Sequence, residues 1–421
     1  MVINDPLFRP NAVADCVNSS SGTCAPKLPN EPPCRDGICR TAEVCAFRTR
    51  VLNHIRSQGF KVTSGRIVTP IELDKDRLRA LHAAAVDAQR ERARPALEPL
   101  ERRFIARLIR GADLDPRRIR PRLVRITDRR SFDGLTWRWC AMHWSIPVSG
   151  GYGRRLRFLI EDEGHDNKLI GLIGLGDPVF ALGCRDSIIG WDRHVRKESL
   201  TNVMDAFVLG AVPPYDRLLA GKLAALLAGS EEVREAFELI YGHRKTQISA
   251  RDPGAKLALV TTSSALGRSS VYNRITRPDG SLALYAAGYT SGTGDFHLSG
   301  SIYKELASFA SAITPVGTGT ERHPRWRGES FRNRREVIHR ALEGLGLDSR
   351  ALRIHGVRRQ VFLYPLADNS YAWLRGDEHH LNWYPGEVDA LARWWRRRWA
   401  IPRSERDQRW LSFEPFEWLL Y

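Results

Sequence analysis

The sequence predicts an α+β fold: a mixed, mainly antiparallel sheet with flanking helices, plus helical basic flanks. Three observations predict it. Six short apolar runs that read as strands fall roughly between residues 130 and 300. Before and after them, apolar residues recur at helical spacing. Helical patterns enter the strand-rich middle only late, which favours α+β, or α/β with a mixed sheet, over an all-β architecture.

The elements follow in order. Leu78, Leu81, Ala85 and Ala88 mark one helical face, and Pro95 is expected to end that helix. Leu97, Leu100, Phe104, Ile105 and Leu108 mark a second helix, ending near Gly111. The strands are read at 154–161, 168–176, 186–191 (DSIIGW), 201–210, 256–264 and 282–289. Cys140 and Cys184 fall inside apparent strands and read as small core residues. Helices are read at 216–228, with Asp216 as N-cap, and at 231–241. Val337, Ile338, Ala341, Leu342 and Leu345 form a further helical stripe, closed by Gly344 or Gly346. A strand at 358–367 precedes a last amphipathic helix on Val388, Leu391, Ala392, Trp395 and Trp399. Composition suggests four regions: a Cys-rich, Pro/Ser-rich segment over 1–50, an Arg-rich helical region over 51–130, the mixed-sheet core over 131–320, and a basic, Trp-rich end over 321–421.

Charge bounds the function. The 421 residues carry 65 Lys+Arg against 48 Asp+Glu, a formal +17, and only nine of the cations are Lys. Arg presents a planar fork that suits phosphate, so nucleic acid is the first partner class to consider, beside a solvated basic face with no ligand. Between Arg77 and Arg130 stand 16 Arg against seven acids, and residues 321–421 hold 19 Arg against 14. Arg117, Arg118, Arg120 and Arg122 form the densest part of the first set. Arg393, Arg396 and Arg397 line the polar side of the last helix, where Trp394 is the indole expected to be exposed. No apolar run is long enough for a membrane span, and the start lacks a secretory pattern, so a cytoplasmic location is expected.

Several constellations could carry chemistry. Cys16, Cys24, Cys34, Cys39 and Cys45 could supply four thiolates to zinc. Their intervening gaps of seven, nine, four and five residues contain no CxxC knuckle, which fits incidental thiols better. EDEGHDN (161–167) joins two strands, and His165 with its neighbouring acids could pair a base with an acid; a solvated hairpin loop is the simpler reading. The stretch 202–229 runs from an apolar strand through Pro-Pro-Tyr into a helix whose free amides suit an anion, with Arg217 and Lys222 adding charge. An ordinary strand-to-helix crossing, with Gly221 serving packing, explains it equally. TTSSALGRSSVYNRI (261–275) offers hydroxyls and Tyr272. Walker A, GxSxG and HExxH patterns are all absent.

The phrases RFLIEDEGHDNKLIGLIGLGDPVFALGCRDSIIGW, TNVMDAFVLGAVPPYDRLLAGKLAALL and LALVTTSSALGRSSVYNRI resemble the DruA family of the Druantia anti-phage defence system. REVIHRALEGLGL, GVRRQVFLYPLADN and WWRRRWAIPRSERDQRW extend the resemblance from about residue 70 to the end. It implies a cytoplasmic bacterial defence protein working with other Druantia components, including a large helicase-like protein; it implies no particular chemistry. A related domain stands before some transposase catalytic domains and keeps an RD-x-x-IGW element, here Arg185, Asp186, Ile189, Gly190 and Trp191.

The layout of 202–228 and the Tyr-containing segment after it is also similar to the GNAT acyltransferase core. That likeness implies coenzyme A as cofactor, with Arg217, Leu218, Leu219, Ala220, Gly221 and Lys222 around its pyrophosphate and Tyr272 as general acid. GNAT loops want R/Q-x-x-G-x-G/A; here Ala220 replaces the first glycine and Lys222 fills the small last position. Fold likeness alone does not fix an activity.

Overall fold

A computed structural model describes residues 42–68, 74–148, 153–245, 252–313 and 331–421. The chain divides into two compact units, and the boundary first falls within the helix Lys75–Leu97. The first unit takes the described residues up to Ala88 and Ser291–Arg358; the second takes the remainder.

The second unit is built on a seven-stranded sheet, confirming the mixed, mainly antiparallel architecture. Its strands are β3 (Pro121–Arg125), β4 (Arg155–Asp162), β5 (Lys168–Gly176), β6 (Val203–Ala211), β7 (Leu259–Ser263), β8 (Tyr285–Tyr289) and β9 (Gln360–Pro365), in spatial order β3-β4-β5-β6-β7-β9-β8. β6 and β7 pair in parallel and every other pair is antiparallel. A parallel pair needs a long crossover, which α7 (Ala220–Leu227) and α8 (Glu231–Phe237) supply. The β4–β5 hairpin turns through Asp166 and Asn167, both in the left-handed region that Asp and Asn tolerate best after Gly.

Both sheet faces are covered, so the central strands read as near-continuous apolar runs. On one face Leu156, Phe158, Ile160, Ile173 and Met204 pack with the apolar helix α7 and with Leu391 and Trp395 of α12 (Val388–Trp395). On the other, Leu159, Leu169 and Leu172 meet Phe104 of α3 (Glu101–Ile105) and Trp137 and Trp139 of α4 (Phe132–Ala141).

The first unit gathers α1 (Ala42–Ser57), the hairpin β1 (Lys61–Thr63) and β2 (Arg66–Val68), the first half of α2 (Lys75–Leu97), α9 (Ser301–Ala312) and α10 (Phe331–Gly344). Phe47, Val51, Leu52 and Ile55 recur at helical spacing on α1 and are fully buried. Phe47 meets Phe309 of α9 edge-to-face at 5.4 Å.

Several local expectations are corrected. DSIIGW is not a strand: α5 (Gly183–Ile189) forms there. Asp186 explains it, accepting from the Leu182 amide and the Trp191 indole while pairing with Arg185 and Arg196. Pro95 does not stop its helix, because α2 runs to Leu97. PRLVR, read within an Arg-rich helical stretch, is the edge strand β3; Cys140 lies on α4 rather than a strand, though buried as expected, and Cys184 lies on α5 and is only half-buried. Asp216 caps no helix: it sits in a 3-10 turn, and Leu219 precedes α7 with φ +63°.

Candidate functional site

Parallel pairing of β6 with β7 ends at Ala206 opposite Thr262, yet β6 continues to Ala211. The strands therefore separate at their carboxyl ends, where α7 begins. A cleft of about 390 Å³ fills this wedge, lined among others by Trp144, Gly210, Asp216, Gly221, Lys222 and Tyr272. Gly210 must lack a side chain, since a Cβ there would enter the Trp144 indole.

The cleft gathers some of the expected residues and leaves others out. Leu219, Gly221, Lys222 and Tyr272 line it. Leu218 and Ala220 are fully buried in the core beneath it, and Arg217 is exposed with its carbonyl accepting from Arg403 Nε at 3.4 Å. Lys222 is buried and donates to the Val271 carbonyl at 2.8 Å. Burial lowers its pKa to about 8, with the Arg274 and Arg398 charges adding to the effect. Burial pushes the Tyr272 phenol up to about 12, against a hydrogen bond with Thr262.

His165 does not line this cleft. The EDEGHDN hairpin is not a solvated loop either, because Glu161, Asp162 and His165 are buried. Asp162 is fully enclosed and its two oxygens accept four hydrogen bonds. The amides of Arg120 (2.7 Å) and Gly164 (3.0 Å) donate to Oδ1; His165 Nδ1 (2.8 Å) and the Tyr215 hydroxyl (2.9 Å) donate to Oδ2. His165 Nε2 accepts from the Asp115 amide at 3.0 Å, which puts the ring proton on Nδ1. Both ring nitrogens are occupied, so the arrangement binds the loop before β3 to the β4–β5 hairpin.

The same loop brings the two Arg-rich segments together. Arg396 Nη1 donates to the Ile119 carbonyl at 2.7 Å, and α12 packs on β3. The contact brings the segment that carries Arg117 and Arg118 against the stretch that carries Arg393, Arg396, Arg397 and Arg398. Among the described residues, none of these six has a carboxylate within ion-pair distance; Arg118 donates instead to the Gly164 carbonyl at 3.1 Å. Arg120 and Arg122 differ, pairing with Glu163 at 3.0 Å and Glu161 at 2.5 Å. Arg397 lies 5.5 Å over the Trp394 ring and Arg398 5.9 Å over Trp399. Trp394 is half-buried rather than exposed, because its indole donates to the Thr276 carbonyl at 2.8 Å. Lys222 Nζ lies 5.4 Å over Trp399, so the cleft adjoins this basic face.

Cys16, Cys24, Cys34 and Cys39 lie outside the described residues; Cys45 is half-buried on α1. Among the described residues no group of three His, Cys, Asp or Glu is placed to hold a metal, and no helix is long and apolar enough to cross a membrane.

Comparison with known proteins identifies the relatives. No solved structure matches the chain. A Druantia protein DruA from Escherichia coli (strain UMEA 4076-1) is 38% identical over 381 residues, covering 86% of this chain and 88% of that protein. The family model described as Druantia protein DruA matches residues 72–376, which spans the sheet, the cleft and the basic loop before β3. On both counts the chain belongs to the Druantia protein DruA family.

Proposed function

We propose that this chain acts in anti-phage defence as a Druantia component and contacts nucleic acid through the basic face of its second unit. One observation carries the contact: the Arg396–Ile119 hydrogen bond joins two Arg-rich segments that lie 277 residues apart. Arg117, Arg118, Arg393, Arg397 and Arg398 then stand together without acidic partners among the described residues. Such guanidinium groups contact phosphates and release counterions, so binding weakens as salt rises. The partners implied by family membership are the other Druantia proteins, among them a helicase-like component.

A mobility-shift titration with single- and double-stranded DNA tests the contact. Binding at low salt that falls steeply with added salt supports it. Absence of a shift at low salt removes it, and co-purification with the other Druantia proteins after nuclease treatment would then identify the face as a protein-docking surface.

The cleft favours a second reading, an acyl-coenzyme A-dependent transferase with a GNAT-like core. Its support is that Gly221, Lys222 and Tyr272 share one cleft at the open end of a parallel strand pair. Against it, Lys222 reaches across to Val271 where a GNAT loop would carry a small residue. Coenzyme A should raise the melting temperature, and Gly221→Glu should abolish that rise. No shift with coenzyme A or an acyl derivative rejects the reading. No zinc role is assigned to the five N-terminal cysteines.

A further inference from the structure

The sheet face that carries α4 holds a second, separate group of cations. Arg155 and Arg157 lie two residues apart on β4 and so project from the same face. β5 sets Gly176 opposite Arg155 and Gly174 opposite Arg157. The glycines leave this room: a Cβ on Gly176 would displace the Arg155 guanidinium, and one on Gly174 would lie 2.8 Å from the Phe207 and Trp137 rings. The cleared space lets the guanidiniums lie on aromatic ground. Arg155 Cζ is 4.4 Å from the Phe207 centroid, and Arg157 Cζ is 5.2 Å from that of Trp137.

Both side chains are half-buried, and neither has a carboxylate within ion-pair distance among the described residues. The nearby acids are engaged elsewhere: Asp177 takes Arg154 at 2.6 Å, and Asp205 accepts from the Thr261 hydroxyl at 2.7 Å. Arg155 Nε is buried and donates to no acceptor among the described residues. Burial lowers both guanidinium pKa values, that of Arg157 to about 10, and the neighbouring Arg129 charge adds to each. Both remain charged at neutral pH. Ring contacts offset only part of the cost of enclosing two unbalanced cations.

We propose that Arg155 and Arg157, with Arg129 nearby, form a binding site for a phosphate group, free or at the end of a small molecule. Two guanidinium forks supply several donors to one tetrahedral dianion, which a single carboxylate could not occupy as fully. Half-buried against the Phe207 and Trp137 rings, they suit a compact anion that both forks reach at once. The site lies on the face opposite α7 and α12, so it stands or falls independently of the nucleic-acid contact.

The test is calorimetric titration of the full chain with inorganic phosphate, a nucleoside 5′-diphosphate and the neutral nucleoside. Saturable binding of the first two and none of the third is expected, with Arg157→Gln weakening it at least tenfold and Arg66→Gln, an exposed position on β2, leaving it unchanged. In the wild-type chain, phosphate should also protect the Arg155–Arg157 peptide from phenylglyoxal, read by mass spectrometry. That second readout decides the matter if Arg157→Gln fails to fold. No saturable binding, equal binding of the neutral nucleoside, equal weakening by Arg66→Gln, or absence of protection overturns the proposal.

Discussion

At the residue scale, Asp162 shows how a buried charge is made tolerable. An enclosed carboxylate without partners would be strongly disfavoured, but four donors share its charge. Tyr215→Phe removes one donor and keeps the shape, so it should cost about 1.5–3 kcal/mol in a denaturant melt, the range for hydrogen bonds to charged groups. His297 makes the opposite case. It is fully buried, donates from Nε2 to the Leu352 carbonyl at 2.8 Å, and burial lowers its pKa to about 4. The unfolded chain therefore binds this proton more tightly than the fold does. Stability should fall as pH drops from about 6.5 toward 4, by at most about 1.4 kcal/mol per pH unit for this one group. His297→Gln should flatten that slope; an unchanged slope would assign it to other groups.

At the element scale, α5 is instructive. Its Ile-Ile-Gly-Trp ending has the composition of a buried strand, and periodicity over six residues cannot separate the two. What decides is tertiary: Asp186 collects partners before and after itself, and Gly190 ends the helix at φ +79°. A Gly190→Ala variant has room for the methyl group but not the conformation, so it should lose about 1–2 kcal/mol. A neutral result would show that the turn relaxes. The long strands β4, β5 and β6 were legible within a residue or two, because both sheet faces are buried and their apolar runs are continuous. β3 was not, because an edge strand with Arg122 and Arg125 has little apolar signal of its own. The candidate site was half legible. The strand-to-helix turn and Tyr272 carry local signals, whereas Trp144 and Gly210 join the cleft only through packing. The alternating glycines of GLIGLG were the available sign of Arg155 and Arg157, since glycine in a strand marks a close approach.

At the scale of the whole molecule, the net charge of +17 separates into groups with different fates. Some arginines are internal ties: Arg185 is fully buried and donates to the Val179 and Phe180 carbonyls. Others, such as Arg120 and Arg122, are balanced by the acidic hairpin. The group around Arg117, Arg118, Arg393, Arg397 and Arg398 lacks acidic partners among the described residues and is the one available to a polyanion. Replacing Arg120 or Arg122 by Gln should therefore weaken DNA binding less than replacing Arg393 or Arg397, in a filter-binding comparison at one salt concentration.

The most direct measurement is the salt dependence of DNA affinity for the wild-type chain and for the triple variant Arg393→Gln, Arg397→Gln, Arg398→Gln. Each lost phosphate contact lowers the slope of log affinity against log salt by about 0.9 on duplex DNA. A slope shallower by about 2–3, with an unchanged melting temperature, is the predicted result. An identical slope and affinity in the folded variant would contradict the assignment of this face to nucleic acid.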